Sequence, residues 1–366
     1  MAADDAFWMR RALRLAARGR GRVSPNPMVG AVIVARGRLL GEGYHRVVGG
    51  PHAEVWALRA AGRVAKGATA YVSLEPCCHR GRTPPCTDAL VAAGVARVVA
   101  ATLDPDPRVA GKGVKQLRHC GVQVEVGVLE EQARRLNEGY FKRTTTGLPF
   151  AALKAAMSLD GKIATAAGES KWITGEPARA AGHRLRAAHD AVVVGVQTVL
   201  ADDPELTVRM TRGRGPLRVV VDSRGRTPVT ARLLRSGDSP PLIALTAKAP
   251  PARQRALERA GAEVWVVPSA RARVDLRALL VRLGERGANT VLVEGGGTLA
   301  AAALAAGLVD RVYFFMAPLI IGGAKALTPV EGEGVRRLAQ AWRIQEMRAR
   351  RIGEDLLITG DVHRPG

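Results

Sequence analysis

One segment constrains this chain more than any other. His52 and Glu54 stand close together, and the thiols of Cys77 and Cys86 follow in a run rich in proline, glycine and arginine. One imidazole and two thiolates hold a tetrahedral Zn²⁺ and leave its fourth position to water, and a carboxylate beside the imidazole can move protons on and off that water. We therefore predict a zinc centre with His52, Cys77 and Cys86 as ligands and Glu54 as the proton-transferring residue.

The order of these residues matches a signature of zinc-dependent deaminases, with one departure. The signature is H-x-E followed by P-C-x-x-C, whereas here the longer insert Cys78–Pro85 separates the two ligand thiols. The insert carries His79, Arg80 and Arg82, which would meet an anionic substrate beside the metal. Taken singly, histidines and thiols are more often packing residues. Their combination predicts hydrolytic deaminase chemistry with a phosphate-binding insert.

The length of the chain indicates more than one domain. A chain of 366 residues is longer than one hydrophobic core usually supports. The segment Thr144–Pro149 is rich in small residues and lies between a helical pattern and an apolar run that starts at Phe150. We therefore predict two domains, over residues 1–147 and 148–366.

The charge of the chain raises an alternative class of function. The formal net charge is +22, large enough for nucleic-acid binding to be considered. However, the surplus is equal on the two sides of Gly147, and aromatic residues, which stack on single strands, make up only 4%. We therefore expect a small-molecule partner and no specific nucleic acid.

Cysteine usage and apolar runs bear on the compartment. Four cysteines, two of them in a metal-type cluster, fit a reducing compartment better than a disulfide scaffold. The segment Met1–Asp5 is acidic, and the apolar run Val312–Ala324 is interrupted by Pro318. We expect a cytoplasmic protein without a membrane partner. The oligomeric state stays open, with a homo-oligomer among the options.

Strands and helices alternate along the first part of the chain. The pattern predicts helices over 5–18, 52–61, 87–93, 112–119 and 130–143, and strands over 29–35, 38–44, 68–74, 96–102 and 122–128. Such alternation favours an α/β sandwich. On this prediction His52 and Glu54 lie in the first turn of one helix, and Cys77 and Cys86 flank the start of another.

A second chemical segment lies in the other half of the chain. A predicted buried strand ends at Glu294, and the residues Gly295–Thr298 lead into a helix predicted over 300–306. Backbone N–H groups at such a helix start suit a pyrophosphate, because glycine allows close approach and the helix dipole favours the anion. A tight turn that needs positive φ explains the three glycines as well.

Another predicted strand, Leu217–Val221, ends beside Ser223 and Arg224. A hydroxyl and a guanidinium at the carboxyl end of a strand suit a monoester phosphate, and Arg224 is a candidate partner for the 2′-phosphate that distinguishes NADPH from NADH. The alternative is that Arg224 is one more solvated arginine. No G-x-G-x-x-G follows the first strand of this half, so a standard Rossmann domain is not expected.

With the insert included, the first half resembles the deaminase half of the bifunctional riboflavin-biosynthesis deaminase/reductase family, RibD. The segment Ser24–Gly30 resembles the substrate loop of the same family. The resemblance implies a cytidine-deaminase-like domain and a diaminopyrimidine substrate that bears a ribosylamino 5′-phosphate. It implies substrate contacts at Asn26, His45, His79 and Arg82.

The second half resembles the reductase half of RibD, whose fold is similar to dihydrofolate reductase. The resemblance rests on the segments Leu153–Lys162, Glu169–Thr174, Gly195–Pro204 and Glu294–Gly297. It implies NADPH contacts at Ala156, Trp172, Thr198, Asp202, Ser223, Gly296, Gly297, Thr298, Leu299, Ala300, Ala301 and Ala302. It implies substrate contacts at Ser170, Arg186, Leu206, Arg209 and Glu294, and Lys154 is a further candidate near the reacting carbon.

Together these features predict an α/β enzyme with two activities. The first domain would deaminate the pyrimidine ring with zinc, and the second would use NADPH to convert the ribosyl side chain to ribityl. Two alternatives are a nucleic-acid-editing or RNA-binding protein of the deaminase fold and a monofunctional reductase with a decayed deaminase domain. The intact set of His52, Glu54, Cys77 and Cys86 speaks against decay. A purely structural module would leave both sets of residues unexplained.

Overall fold

The computed structural model describes residues 4–81 and 83–363. The chain divides into two compact units, Met1–Gly147 and Leu148–Gly366. Each unit is an α/β structure built on one main sheet, which confirms the predicted fold class.

The first unit contains six α-helices and five strands among its described residues. Their bounds are α1 Asp5–Ala16, β1 Gly30–Ala35, β2 Arg38–Tyr44, α2 Ala53–Ala61, β3 Thr69–Val72, α3 Cys86–Ala92, β4 Arg97–Ala100, α4 Lys112–His119, β5 Gln123–Val126, α5 Glu130–Leu136 and α6 Glu138–Thr146. The sheet order is β2-β1-β3-β4-β5. Strand β1 is antiparallel to β2 and β3, whereas β3, β4 and β5 run parallel.

Helices cover both faces of this sheet. Successive side chains of a strand point to opposite faces, so neighbouring residues pack into different core clusters. On β1, Ile33 packs into one core cluster with Ala57 of α2 and Leu117 of α4. Its neighbour Val32 packs into another cluster with Met9 of α1. Helices on the two faces therefore make the predicted sandwich.

Two of the differences from the predicted helices concern residues near the cavity. Helix α2 starts at Ala53, so His52 is its N-cap and does not lie in the first turn. The single helix predicted over 130–143 is two helices that meet at Asn137. The Asn137 side chain accepts from the Met28 N–H and donates to the Met28 carbonyl, both at 2.8 Å. This use of Asn137 explains the break, because its φ and ψ of −106° and 21° depart from helical values.

The second unit contains a nine-stranded sheet and a small hairpin. Its elements are β6 Phe150–Ser158, α7 Glu176–Ala188, β7 Ala191–Gly195, α8 Val196–Asp202, β8 Leu217–Val221, α9 Arg232–Arg235, β9 Leu242–Leu245, α10 Pro251–Arg259, β10 Glu263–Val266, β11 Ser269–Ala270, β12 Arg273–Val274, α11 Leu276–Glu285, β13 Thr290–Glu294, α12 Gly297–Ala305, β14 Arg311–Ala317, β15 Arg343–Ile352 and β16 Asp355–His363.

The order of the large sheet is β10-β9-β8-β7-β13-β6-β14-β16-β15. Pairing is parallel from β10 to β14, and β16 and β15 complete the sheet in antiparallel fashion. The central strands are apolar runs, as parallel strands covered on both faces require. Val193 and Leu242 pack into the cluster on one face, and Val192 and Ile243 into the cluster on the other. Helix α12 starts at Gly297, earlier than predicted.

Two further findings concern the cysteines and the apolar segments. All four cysteines, Cys77, Cys78, Cys86 and Cys120, are free thiols. In the described part of the chain, no helix combines the length and the apolar character needed to cross a bilayer.

We predict that Gly30→Ala destabilises the first unit, because a Cβ at this position would lie 2.0 Å from the Ala12 carbonyl oxygen and 2.7 Å from the Ala16 nitrogen, both in the backbone of α1. Overpacking of this kind costs about 1–3 kcal/mol or more. The control Gly215→Ala places its Cβ 4.0 Å from the nearest atom, on Asp238, and is expected to change stability by less than about 1 kcal/mol. Calorimetric unfolding of both variants checks this, and equal effects would contradict it.

Candidate active sites

The three predicted metal ligands lie together in the first unit. His52 is the N-cap of α2, Cys77 follows β3, and Cys86 opens α3. Their ligand atoms all lie within 4.8 Å of one another, and the His52 Nδ1 atom is 3.2 Å from the Cys86 Sγ and 3.6 Å from the Cys77 Sγ. Tetrahedral zinc with ordinary bond lengths separates nitrogen and sulfur ligands by about 3.6 Å. The donor types and their spacing therefore fit zinc.

Neighbouring groups orient these ligands. The Nε2 atom of His52 lies 3.4 Å from the Thr83 hydroxyl, so it can donate to that oxygen and leave Nδ1 unprotonated toward the sulfurs. The Cys86 N–H contacts the Cys77 Sγ at 3.4 Å. The hydrogen bond from the Cys86 thiol lowers the pKa of Cys77 to about 4, so this sulfur is a thiolate, the form that binds metal. The same contact with Cys77, together with burial, raises the pKa of Cys86.

Glu54 lies beside this cluster and has an unusual environment. Its side chain is buried, and its Oε2 atom has no hydrogen-bond partner in the described part of the chain. Burial raises the pKa of Glu54 to about 7, and the negative charge of Cys77 adds to the effect. A carboxyl with a pKa near neutrality can take up and release a proton, which is the property that a general base and acid needs.

A cavity of about 700 Å³ opens next to Glu54 and two of the metal-ligand residues. The predicted residues Asn26, His45 and His79 line it. The structure adds further lining residues that the sequence analysis did not predict, namely Asp104, Asp106, Arg108, Tyr140 and Arg143. The first three follow β4, and the other two lie on α6. In the sequence, only the run Asp104-Pro105-Asp106 after a predicted strand indicated that this region could contribute to a site.

Asp104 is the most buried of these added acids. The Tyr140 hydroxyl donates to its Oδ1 atom at 2.9 Å, and burial raises the pKa of Asp104 to about 6. The loop that carries it is held by Glu75, whose carboxylate accepts from the backbone N–H groups of Asp104, Gly111 and Val114 at 2.9–3.1 Å. Glu75 is therefore a structural residue despite its place in the metal motif.

Asn26 and His45 contact each other on the cavity wall. The Asn26 Nδ2 atom is 3.0 Å from the His45 Nε2, and the His45 Nδ1 is 3.3 Å from the Pro51 carbonyl oxygen. Both contacts are satisfied when His45 is neutral, with its proton on Nδ1 and the amide donating to Nε2. Burial also lowers the pKa of His45, which favours this neutral form.

The insert between the two thiols is only partly described. His79 is half-buried on the cavity wall, and its Nδ1 atom has no hydrogen-bond partner in the described ranges. Arg82, which the resemblance assigns to the substrate, lies outside the described residues. Cys78 is half-buried, and its Sγ lies 3.8 Å from the Arg108 carbonyl oxygen instead of joining the three ligands.

In the second unit, Arg186 of α7 and Glu294 at the end of β13 form a largely buried ion pair, with 17% of the Arg186 side chain and 6% of the Glu294 side chain exposed. The guanidinium donates to the carboxylate from Nε at 3.1–3.2 Å and from Nη2 at 2.7 Å. The half-buried side chain of Lys154, on β6, lies beside them. Burial lowers the pKa of Lys154, and the charge of Glu294 opposes that change. Burial likewise disfavours charge on Glu294, but Arg186 and Lys154 together hold its pKa below the usual range.

The other predicted substrate contacts of this unit, Ser170, Leu206 and Arg209, lie in three different environments. The Ser170 hydroxyl donates to Asp202 at 2.8 Å, so these two predicted residues meet. Arg209 is an exposed side chain paired with Glu205 at 3.1 Å, and its backbone N–H contacts His183. The Leu206 side chain is buried in the core and does not reach a surface.

The predicted cofactor residues lie on several elements. Ala156 is a half-buried residue of β6, and Trp172 is 65% exposed, with the Arg179 guanidinium 4.8 Å from its ring centre. Thr198 of α8 accepts from the Gly296 N–H at 3.2 Å. Gly295 has a φ of 109°, and a Cβ there would lie 2.4 Å from the Thr198 hydroxyl, so this turn requires glycine. Thr198 and the glycine turn therefore meet directly.

The first turn of α12, which includes most of the predicted pyrophosphate contacts, is partly covered. The Thr298 hydroxyl donates to the Glu331 carboxylate at 2.9 Å, and a Cβ on Gly297 would lie 2.3 Å from the Thr328 carbonyl oxygen. Beyond it, Leu299 and Ala300 face the core, and Ala301 and Ala302 continue the helix. A phosphate at this turn would require the Glu331 carboxylate to move away, because like charges repel.

Ser223 lies just beyond β8, at the same sheet edge as Thr198 and Gly296. Its Oγ atom accepts from the Val274 N–H at 3.0 Å, and its carbonyl accepts from the Thr246 hydroxyl at 2.7 Å. Arg224 next to it is exposed. Hydroxyl, amide and guanidinium donors thus gather at this edge, and such donors fit the phosphates of NADPH.

Comparison with known proteins identifies the family. The profile of the cytidine and deoxycytidylate deaminase zinc-binding region matches residues 2–102, and that of the RibD C-terminal domain matches residues 149–358. The riboflavin biosynthesis protein RibD of Actinobacillus pleuropneumoniae is 44% identical over 361 residues, which cover 99% of this chain and 96% of that protein. The chain belongs to the RibD family. Escherichia coli RibD is also 44% identical, over 97% of this chain and 98% of its own length.

Solved RibD structures agree with this assignment. RibD of Acinetobacter baumannii superposes with a TM-score of 0.89 at 41% identity, covering 98% of this chain and 99% of that one. A Thermotoga maritima protein described as a diaminohydroxyphosphoribosylaminopyrimidine deaminase/5-amino-6-(5-phosphoribosylamino)uracil reductase has a TM-score of 0.86 at 36% identity, covering 99% of each chain.

As a RibD protein, the chain is a bifunctional enzyme of riboflavin biosynthesis, with a zinc-binding deaminase domain and an NADPH-dependent reductase domain. Neither a nucleic-acid editor nor a monofunctional reductase accounts for both matched domains.

We predict that the purified protein holds about one zinc ion per chain. Cys86→Ser should lose most of it, because a hydroxyl is a poor zinc ligand. Cys78→Ser is the matched control and should keep the metal, since its Sγ contacts Arg108 instead. Elemental analysis of the three proteins measures this. Equal loss of zinc from both variants would show that the ligand set is wrong.

We also predict that Glu294→Gln lowers the free energy of unfolding of the second unit by up to about 3–5 kcal/mol, because it leaves the largely buried guanidinium of Arg186 without its carboxylate partner. The control Glu263→Gln breaks an exposed pair with Arg286, for which about 0–1 kcal/mol is expected. Denaturant unfolding distinguishes the two, and a small loss in both variants would contradict the prediction.

Proposed function

We propose that the first unit deaminates 2,5-diamino-6-ribosylamino-4(3H)-pyrimidinone 5′-phosphate and that the second unit reduces the ribosyl side chain of the product to ribityl with NADPH. One observation carries the deaminase assignment: His52, Cys77 and Cys86 converge beside the buried carboxyl of Glu54 at a cavity of about 700 Å³. The activities in the description of the Thermotoga maritima relative support the choice of substrate.

In the deaminase step, His52, Cys77 and Cys86 would hold zinc, which when bound lowers the pKa of water and so supplies a nucleophile near neutral pH. Glu54 takes a proton from the attacking water and returns it to the departing amine. Its pKa of about 7 suits both transfers, and its unpartnered Oε2 atom is the one available for them.

The cavity residues are proposed to orient the substrate. Asn26 and the neutral His45 present fixed polar groups that suit the pyrimidine ring. His79, with Arg82 from the same insert, suits the phosphate. Asp104 adds a carboxyl that a ring amino group can meet, and Tyr140 holds it in place.

In the reductase step, the hydride belongs to the cofactor, and the protein supplies orientation and charge. Lys154, Arg186 and Glu294 are proposed to face the ribose, with Ser170 and Arg209 as further contacts. Leu206 can contribute only its backbone, because its side chain is buried in the core. NADPH is proposed to contact Ala156, Trp172, Thr198, Asp202, Ser223, Arg224, Gly296, Gly297, Thr298, Leu299, Ala300, Ala301 and Ala302.

We propose a cytoplasmic location and no specific nucleic-acid partner. The four free thiols support a reducing compartment, and the even spread of charge supports the second point. The homo-oligomer stays a prediction. Strand β15 lies at an edge of the large sheet, and the backbone groups on its outer side could pair with a strand of a second copy.

The experiment that tests the assignment is Glu54→Gln. The amide preserves shape but cannot shuttle protons, so deamination should fall by at least about a hundredfold, as is typical when a general base is lost. Zinc content should stay unchanged, as should NADPH oxidation on substrate that is already deaminated. If both activities fell together, the two-site proposal would be wrong.

A further inference from the structure

A small hairpin lies at the sheet edge where the cofactor site is proposed. Strands β11 and β12 pair Ser269 with Val274 and Ala270 with Arg273. The Val274 N–H donates to the Ser223 hydroxyl oxygen at 3.0 Å, and the Val274 side chain packs into the core. This contact ties the hairpin to the carboxyl end of β8.

The turn of this hairpin has an unfavourable conformation. Its two central residues, Arg271 and Ala272, have φ angles of 49° and 62°. A two-residue turn with positive φ at both positions strongly prefers Asn-Gly, because a Cβ is disfavoured in the left-handed region. Arginine at a turn position where asparagine is preferred is therefore a candidate for a functional contact.

Three arginines stand at this edge without a partner. Arg224, Arg271 and Arg273 are exposed, and none of their guanidinium groups has a hydrogen bond or ion pair within the described ranges of the chain. Because residues alternate along a strand, the Arg273 side chain points away from the core that holds Val274. The hairpin sequence from Ser269 to Val274 contains no acid.

The acids nearest in sequence do not pair with these arginines. The Asp275 carboxylate accepts from the N–H groups of Arg277 and Ala278 as the cap of α11. Asp222 is buried and cannot reach exposed guanidinium groups; its Oδ2 atom accepts from the N–H and the hydroxyl of Thr227, and its Oδ1 atom has no partner among the described residues. The arginines therefore form a positive cluster beside a serine hydroxyl, a combination that suits a phosphate monoester.

We propose that the hairpin Ser269–Val274 determines the preference for NADPH over NADH, with Arg271 and Arg273 holding the 2′-phosphate of the adenosine together with Ser223 and Arg224. This inference rests on the proposed reductase function and deepens it. The position of Arg273 is fixed by the strand register and by the Val274–Ser223 hydrogen bond, so we expect its substitution to weaken NADPH binding most.

The test measures binding to the full-length protein by calorimetry in the absence of the pyrimidine substrate, so no turnover takes place. The ligands are NADPH, NADH and adenosine 2′,5′-bisphosphate. Arg273→Ala should weaken NADPH and the bisphosphate by about tenfold or more, the effect expected for a lost hydrogen bond to a charged group, and should change NADH by less than about twofold. Arg273→Lys should lie between Arg273→Ala and the wild type, because it keeps the charge but not the fork of donors.

Arg348→Ala is the matched control, because it removes one exposed arginine from β15, at the opposite edge of the sheet. It should leave all three ligands unchanged. A second variant, Arg271→Asn with Ala272→Gly, relaxes the turn and removes one guanidinium. It should raise the melting temperature while it weakens NADPH, which a merely structural hairpin would not do.

The failures are distinguishable. If the wild type bound neither dinucleotide, the reductase proposal and this inference would both fall. If the wild type preferred NADPH and the hairpin variants kept that preference, only the inference about the hairpin would be wrong. Equal weakening of NADPH and NADH would also overturn it, because the loss would then not concern the 2′-phosphate.

Discussion

Parallel strand pairing is the constraint on which both sites depend. Parallel strands are covered on both faces, so polar groups collect where the strands end, and neighbouring ends come to the same edge. In the first unit β3, β4 and β5 are parallel, and the chain reaches Cys77 after β3 and Asp104 after β4. In the second unit Thr198, Ser223 and Glu294 follow or end β7, β8 and β13, which neighbour one another. Two different chemistries are thus built on the same geometric rule.

The two units use burial in opposite ways. In the first, Glu54 is a buried carboxyl with no positively charged partner bonded to it, so its pKa rises to about 7 and it can exchange a proton. In the second, the burial of Glu294 is offset by Arg186 and Lys154, so the carboxylate stays charged and fixes the guanidinium by two nitrogen donors. A buried acid is thus suited to proton exchange in one site and is a permanent charge in the other, and the difference lies in its neighbours.

The parts of the two sites that could be predicted are those built from residues close together in the sequence. The zinc ligands and Glu54 lie in local motifs, and the glycine turn after Glu294 lies at a strand end, so residue type and order were enough to find them. The sequence did not predict Asp104 and Tyr140, which meet only because α6 packs against the loop after β4, a contact between residues far apart in sequence. The helix break at Asn137 has the same origin, since its partner is Met28. The substrate contact at Leu206 stays a prediction. Its side chain is buried in the core, and the family pattern gives a position but not the direction in which a side chain points.

The Asn137–Met28 contact has a consequence for how the protein is made. The loop that carries Asn26 leaves the ribosome early, but both hydrogen bonds that hold its neighbour Met28 come from a side chain 109 residues later. A further bond to the Pro25 carbonyl comes from Arg143. Domains fold as units while synthesis proceeds from the N-terminus. The wall of the deaminase cavity is therefore completed only when nearly all of the first unit has been synthesised, so a nascent chain paused before Asn137 would carry the metal ligands without a finished substrate site.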